Sequence, residues 1–411
     1  MHTIAIIGGG ASGMAAALSA RDSLDNRVIL LERQSRVGRK LLATGNGRCN
    51  LSNANAGPFA YHGNDPGFIG PAMTRFGVTD TLAWFAALGL RTRTEPNGRI
   101  YPLSDAAGSV VDVLRLAMDA RGVETVCGFT AAEARREDGR FILSSSLGDA
   151  VECDKLIVAC GGMAGGRLGG TKDGYAILRG FGHNRTALRP SLVQLKTDPA
   201  WTRSMKGVRT QAFLTLEQGD TVLARAEGEV QFTDYGLTGP GVYDLSRAAS
   251  FAGEDSTVVL RLLPELNKVD IIQYLSDKRA NFPNYQAEYL LSGALHNSIA
   301  RTVLRRAEIP LEARLWALSD AALEQIASLL CRYVLPLLGT LGFDDAQVTA
   351  GGIETAGFDP ETMESRIVPG LYACGEVLDI DGDCGGYNLQ WAWSSGRLAG
   401  LAAAGLIGGA E

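Results

Sequence analysis

The stretch "HTIAIIGGGASGMAAALSARD", His2 to Asp22, decides the fold. Thr3 to Ile7 is β-branched and continuously apolar, as expected of a strand in a parallel sheet buried on both faces. Gly8, Gly10 and Gly13 follow as GxGxxG, and Ala15, Ala16, Ala17 and Ala20 predict a helix small enough to lie close on that sheet. Further on, "RVILLER" is a second strand that ends in Glu32, nineteen residues beyond Gly13. A lone GxGxxG says little. A strand before it, a helix after it and an acid closing the next strand together predict a dinucleotide site. Glycines admit a pyrophosphate to the backbone, the helix N-terminus favours its charge, and the carboxylate accepts hydrogen bonds from ribose hydroxyls. Gly8, Gly10, Ala11, Ser12 and Gly13 are therefore candidate phosphate contacts, and Glu32 and Arg33 candidate ribose contacts. An acid at position 32 would repel a 2′-phosphate, which disfavours NADP at this site. The plainer alternative is a tight βα turn in some other α/β protein.

Two more glycine-rich stretches extend the site. "GRKLLATGNGRCNLSN", residues 38–53, carries Arg39, Lys40, Asn46 and Arg48 among glycines at 38, 45 and 47. It reads as a loop that wraps a diphosphate and the polar edge of a ring, against the alternative of a solvated loop. "DKLIVACGG" is a buried strand ending in Cys160, Gly161 and Gly162; Met163 prevents a second GxGxxG there. Far downstream, "CGEVLDIDGDCGGYNLQWAWSSGRLAG", residues 374–400, runs from acids and glycines straight into a small-residue helix. If both ends of the chain build one domain around FAD, Gly375 and Glu376 approach ribityl or ribose hydroxyls. The helix opening at Gly386, Tyr387, Asn388 and Leu389 then aims free N–H groups and a positive dipole end at the pyrimidine edge of the flavin. Ala392, Gly396, Ala399 and Gly400 give that helix a narrow packing face.

At 411 residues the chain is too long for one simple core. Its 51 glycines, roughly 12% against a usual ~7%, mark close backbone approaches. A net charge of −6 and the lack of a Lys/Arg stripe argue against a nucleic-acid partner. No stretch approaches the ~20 apolar residues of a membrane span, and the N-terminus lacks the basic region of a signal peptide. Seven cysteines without a CxxC pair indicate buried, reduced thiols and a cytoplasmic location. The four histidines (2, 62, 183, 296) form no metal-binding pattern, so no metal is expected. From about Pro190 the chain turns to short strands, "SLVQLKTD", "TQAFLTLEQGD", "TVLARAEGEVQFT" and "STVVLRLLPEL", as in an antiparallel barrel. From Asn267 to Leu341 the pattern is helical, with Ser319 as an N-cap. The expected architecture is α/β: a Rossmann-like FAD-binding domain split in sequence (1–188 and 346–411). Inserted in it are an antiparallel β-barrel subdomain (189–266) and an α-helical subdomain (267–345).

Over essentially its whole length the chain resembles the BaiN/YhiN-type family of NAD(P)/FAD-dependent flavoproteins. The resemblance rests on "IIGGGASGMAAA", "GRKLLATGNGRCNLSN", "NGRIYPLSDAAGSVVDVL", "GEVQFTDYGLTGP", "VTAGGIE" and "PGLYACGEVLDIDGDCGGYNLQWAWSSG", in the family's order. It is similar, more distantly, to succinate dehydrogenase and fumarate reductase flavoproteins. The resemblance implies a split FAD domain with both inserts. It also implies bound FAD touching Gly8, Gly10, Gly13, Glu32, the loop Arg39, Lys40, Leu41, Thr44, Gly45, Asn46, Gly47, Arg48 and Cys49, then Glu376 and the turn 386–389. After "LIVACGG" the family carries a Ser-Tyr-Pro-like stretch where this chain has "MAGGRLGGTKDGY". The expected activity is hydride transfer from NAD(P)H through the flavin to an organic acceptor such as an activated C=C bond on a small molecule. By motif placement the candidate proton donors are Arg48, Tyr235 and Tyr387. Trp391 and Trp393 are packing residues more readily than flavin stackers, and the cysteines near the flavin loops are buried thiols more readily than a relay. A flavin-based redox sensor and an FAD-dependent RNA-modifying enzyme are the alternatives.

Overall fold

The computed structural model describes residues 2–253 and 255–408; the outermost expected domain bounds, 1 and 411, lie outside them. The chain divides into two compact units, one built from residues up to Arg189 together with those from Gln347 onward, the other from Pro190–Ala346.

The first unit opens with β1 (Thr3–Ile7), α1 (Ala11–Ala20) and β2 (Arg27–Glu32), continues through α2 (Arg39–Ala43), α3 (Ala107–Ala120) and β3 (Glu124–Cys127), and reaches β4 (Lys155–Val158). The inserted unit carries β5 (Leu195–Thr197), β6 (Arg209–Gln218), β7 (Thr221–Phe232), β8 (Gly236–Thr238), α4 (Pro240–Phe251) and β9 (Ser256–Arg261). It goes on with α5 (Lys268–Asn281), α6 (Asn297–Arg306), α7 (Asp320–Cys331) and β10 (Tyr333–Thr340). The closing segment returns to the first unit with β11 (Leu371–Ala373) and α8 (Tyr387–Ala403).

In the first unit the sheet order is β11–β4–β1–β2–β3, all parallel, with Ile4 opposite Lys155 on one side of β1 and Thr3 opposite Arg27 on the other. Ile4, Ile6, Leu30, Ile157, Val158 and Leu371 are all fully buried, which is why these short strands read as continuous apolar runs. α1 packs on α8 backbone to backbone. A Cβ on Gly396 would overlap the carbonyl oxygen of Ser12, and one on Gly400 that of Ala16. Because 12 meets 396 and 16 meets 400, the two helices run parallel. A small antiparallel sheet, Ala131–Glu137, Arg140–Ser145 and Ala150–Cys153, completes this unit ahead of β4.

In the inserted unit, β5–β8–β7–β6–β9–β10 close into a six-stranded antiparallel barrel, filled by residues such as Leu214, Val230, Phe232, Leu260 and Tyr333. The structure corrects the sequence reading in three places. The last inserted helix ends at Cys331 rather than Leu341; "YVLPLLG" is the strand that closes the barrel, because Pro336 inside a helix would remove a hydrogen bond and clash with the preceding turn. The barrel therefore draws on residues from both expected inserts, and 267–345 is not purely helical. The stretch "YLLSGALH" is not the start of a helix: α6 begins at Asn297, with His296 Nδ1 capping the Ser298 N–H. Finally, "PGVYDLSRAASF" within the barrel segment forms α4, started by Pro240 in its first turn. Ser319 caps α7 as expected, its Oγ accepting from the Ala322 N–H.

Candidate functional site

The GxGxxG turn shows which glycines serve packing and which face open space. Gly8 has φ +110°, and a Cβ there would run into Ala159 O; a Cβ on Gly13 would run into Gly8 O. Gly10 differs: its backbone is ordinary (φ −82°), and a Cβ would meet nothing within 4 Å. Beyond it the N–H groups of Ala11, Ser12 and Gly13 have no acceptor within the helix. α1 has no side-chain cap and no acid in its first turn, so no side chain of the helix itself offsets its positive end. That open cradle fits a pyrophosphate.

Glu32 closes β2 beside this turn, 9% exposed, its two oxygens each 2.7 Å from a backbone N–H, of Gly9 and of Gln34. Arg33 leaves the strand toward Asp173 and the Gly170 carbonyl. α2 starts from Gly38, whose left-handed φ of +72° turns the chain back so that its N–H donates to Gly9 O. From α2, Arg39 donates to Gln34, Leu41 packs into the core, and Lys40 Nζ reaches Glu376 Oε2 at 2.9 Å. The other Glu376 oxygen accepts from the Thr349 N–H at 2.9 Å. Gly162 lies so close to this carboxylate that a Cβ would stand 2.7 Å from Oε1, whereas Gly161 (φ +69°) faces open space. In the loop after Gly162, the Ala164 N–H is held by Thr349 Oγ1 at 2.9 Å.

The segment 44–49 is the most strained backbone near the site. Gly45, Asn46, Gly47 and Cys49 all have positive φ, and two of them are not glycine. Such strain persists only where surroundings over-determine it, and it gathers at functional sites. Thr44 Oγ1 anchors one end on Leu41 O. Arg48 anchors the other, with Nη2 2.7 Å from Glu95, Nε 3.0 Å from Asp105, and its guanidinium stacked 4.0 Å from the Tyr101 ring centre. The Glu95 and Asp105 hydrogen bonds hold the Arg48 guanidinium above its ordinary value and anchor the loop.

The closing segment meets the same ground. A Cβ on Gly375 would stand 2.5 Å from Ser12 Oγ, and the Gly375 N–H donates to Ser395 Oγ. Gly386, at φ +103°, begins α8 against Ser52; a Cβ there would overlap the Ser52 carbonyl. Tyr387 packs edge-on to Tyr61, whose hydroxyl donates to Tyr387 O. The Asn388 amide folds back on Gly382, accepting from its N–H and donating to its carbonyl, while Leu389 joins the core. Trp391 and Trp393 are buried and donate to Gly375 O and Leu51 O, so both are packing residues. Burial pushes the thiols of Cys49, Cys160 and Cys374 up to about 12, which removes the thiolate that a relay would need. Tyr235 belongs to the inserted unit, in the turn between β7 and β8, and burial raises its phenol.

The spacing of the two helix tips is set by their packing register. α8 extends nine residues upstream of Gly396 and α1 only one upstream of Ser12, so the α8 tip projects roughly 12 Å past the α1 tip. Phosphates at the first tip and an isoalloxazine ring at the second, joined by a ribityl chain, fit that stagger.

Two residues escaped the sequence reading: His62 Nε2 lies 2.7 Å from Asp383 Oδ1 just ahead of the α8 tip. They are 321 positions apart, brought together by the strand pair Tyr61–His62 with Asp381–Gly382. Among the described residues no helix is long and apolar enough to cross a membrane.

The family model described as "HI0933-like protein Rossmann domain" matches residues 2–402. A 3-dehydro-bile acid delta(4,6)-reductase of Clostridium scindens is 38% identical over 98% of this chain and 99% of its own length. A ribosomal RNA dihydrouridine synthase of Escherichia coli K12 is 32% identical over 95% of both chains. Among solved structures, 3-ketosteroid-delta4-(5alpha)-dehydrogenase of Rhodococcus jostii RHA1 shares the fold, with a TM-score of 0.51 at 17% identity over 98% of this chain and 96% of that one. Rossmann architecture, an open phosphate cradle and relatives similar from end to end converge: the chain is an FAD-dependent oxidoreductase and belongs to the HI0933-like Rossmann family.

Proposed function

We propose that the protein takes hydride from NAD(P)H onto bound FAD and delivers it to a small organic acceptor at a carbon–carbon double bond conjugated with a carbonyl. The observation that carries this reading is the staggered pair of parallel helix tips, one with an open cradle at Gly10 and one ahead of Tyr387. When bound, FAD supplies hydride transfer, and the protein supplies position and electrostatics. Gly10, Ala11 and Ser12 would hold the phosphates and Glu32 the ribose. Lys40 and Glu376 would line the ribityl path. The tip of α8, with no acid in its first turn, would favour negative charge at the ring's pyrimidine edge.

The acceptor class draws on the relatives. A bile-acid delta(4,6)-reductase and a dihydrouridine synthase share one bond change, saturation of a C=C conjugated with a carbonyl. A small-molecule acceptor agrees with the higher identity to the bile-acid enzyme and with the net charge of −6. RNA is the second reading, favoured by ribosomal RNA dihydrouridine synthases at 32% and 28% identity. Stopped-flow absorbance tests the proposal: NADH or NADPH should bleach the flavin band, and an added 3-keto-4-ene steroid should restore it. Inertness to both nicotinamides would overturn the donor assignment. Loss of dihydrouridine from ribosomal RNA on deleting the gene would establish the second reading.

A further inference from the structure

Adding hydride to one carbon of a conjugated double bond leaves an enolate that must take a proton. Two of the donors expected from sequence are already engaged: Arg48 is held between two carboxylates, and Tyr387 packs on Tyr61. His62 and Asp383 form a different arrangement. His62 Nε2 is 2.7 Å from Asp383 Oδ1, and among the described residues no hydrogen bond engages its Nδ1. The two side chains are 34% and 39% exposed, open enough to meet a ligand.

Their position is fixed from several directions. Asp381 pairs with His62 and Gly382 with Tyr61 in a short antiparallel ladder. The Asp383 N–H donates to Ala60 O, and Asn388 in the first turn of α8 donates to the carbonyls of Gly382 and Asp383. The pair is thus tied to the helix tip that the proposed function places at the flavin's pyrimidine edge. A carboxylate bonded to one imidazole nitrogen fixes the ring's orientation, leaving the other nitrogen to carry a proton to a ligand. The charged and titratable groups on the segments around His62 are Asp379, Asp381 and Asp383 opposite, Asp65 beyond it on its own segment, and the phenols of Tyr61 and Tyr387.

We propose that His62, oriented by Asp383, is the catalytic acid that protonates the reduced acceptor, an assignment that rests on the double-bond reading above. Atoms and electrons balance: hydride adds its electron pair to the β-carbon, the π pair moves toward the carbonyl, and the proton on Nδ1 passes to the α-carbon. Neutral imidazole then regains its proton from water. A solvated pair of this kind without a chemical role would leave turnover untouched.

The test uses the holoprotein and its His62→Gln and Asp383→Asn variants, each reduced and then mixed with 4-androstene-3,17-dione or with ferricyanide. Expected is a loss of ~10²-fold in enone reduction for H62Q and a smaller loss for D383N. Reoxidation by ferricyanide, which needs no proton on carbon, should be equal in all three. Enone reduction by H62Q at the wild-type rate overturns the assignment. If the wild type reduces no enone, the double-bond reading fails on its own. His62 is still decided by ¹⁵N NMR, since its Nδ1 resonance should move between the oxidised and reduced holoprotein, and identical spectra in both redox states would overturn the assignment.

Discussion

The Lys40 ammonium lies 2.9 Å from the Glu376 carboxylate and joins α2 to the segment after β11 across 336 residues of sequence. Both side chains are less than a third exposed, so their attraction is only partly screened. A double-mutant cycle with Lys40→Met and Glu376→Gln, read by urea denaturation, should give a coupling of about 1 kcal/mol. Zero coupling would mean that the pair does not tie the two segments.

Gly10 and Gly396 should respond oppositely to alanine. Gly396→Ala drives a methyl into the Ser12 backbone and should cost about 1–3 kcal/mol of stability. Gly10→Ala meets no protein atom and should change stability by less than ~0.5 kcal/mol. The same methyl fills the phosphate cradle, so FAD affinity of the Gly10 variant should fall by ~10-fold or more, measured by quenching of flavin fluorescence. Normal FAD binding by G10A would place the phosphates elsewhere.

Removing the charge of Glu32 is the complementary test. Glu32→Gln keeps one carbonyl oxygen but loses charge-assisted acceptance, an effect of about 1.5–3 kcal/mol. Isothermal titration should show FAD binding weakened by ~10- to 100-fold, and an unchanged affinity would remove Glu32 from the ribose contacts.

His183 should make stability fall in acid. It stacks on Phe358 at 4.3 Å between ring centres and bonds Ser365 Oγ at 2.9 Å, and burial lowers its affinity for a proton. Below the unfolded value of ~6.5 the unfolded chain therefore binds more protons than the folded one. Its contribution is fully present above that pH and is lost as pH falls through the depressed folded value. Urea midpoints of the wild type should drop over that window more steeply than those of His183→Gln; parallel slopes would contradict the burial argument.

The buried thiols give a chemical readout. With values near 12, Cys49, Cys160 and Cys374 present roughly one thiolate in 10⁵ at neutral pH. Iodoacetamide followed by peptide mass mapping should leave all three unmodified in the native protein. Rapid alkylation of Cys160 would reopen a thiol relay.

Local patterns carried the parallel sheet and the glycine turns into the sequence reading, because β-branched runs and GxGxxG each express one local cause. β1 begins at Thr3 and ends at Ile7 in both descriptions, and Gly386 opens α8 where the sequence places it. Long-range pairings were hidden. Nothing near His62 announces Asp383, and nothing near Arg48 announces Asp105, since each contact depends on backbone bends far from either residue. "YVLPLLG" was misread because its apolar residues suit a helix as well as a strand; Pro336 was the available signal.

Strand β11 and helix α8 complete a sheet and a helix pair that began with β1 and α1, with a self-contained barrel unit encoded between them. During synthesis the ribosome must therefore release a half-built nucleotide fold, then a whole barrel, before the missing half arrives. The exposed edge of β4 has to wait out that interval unpaired, which makes the nascent chain, rather than the finished enzyme, the stage most vulnerable to aggregation.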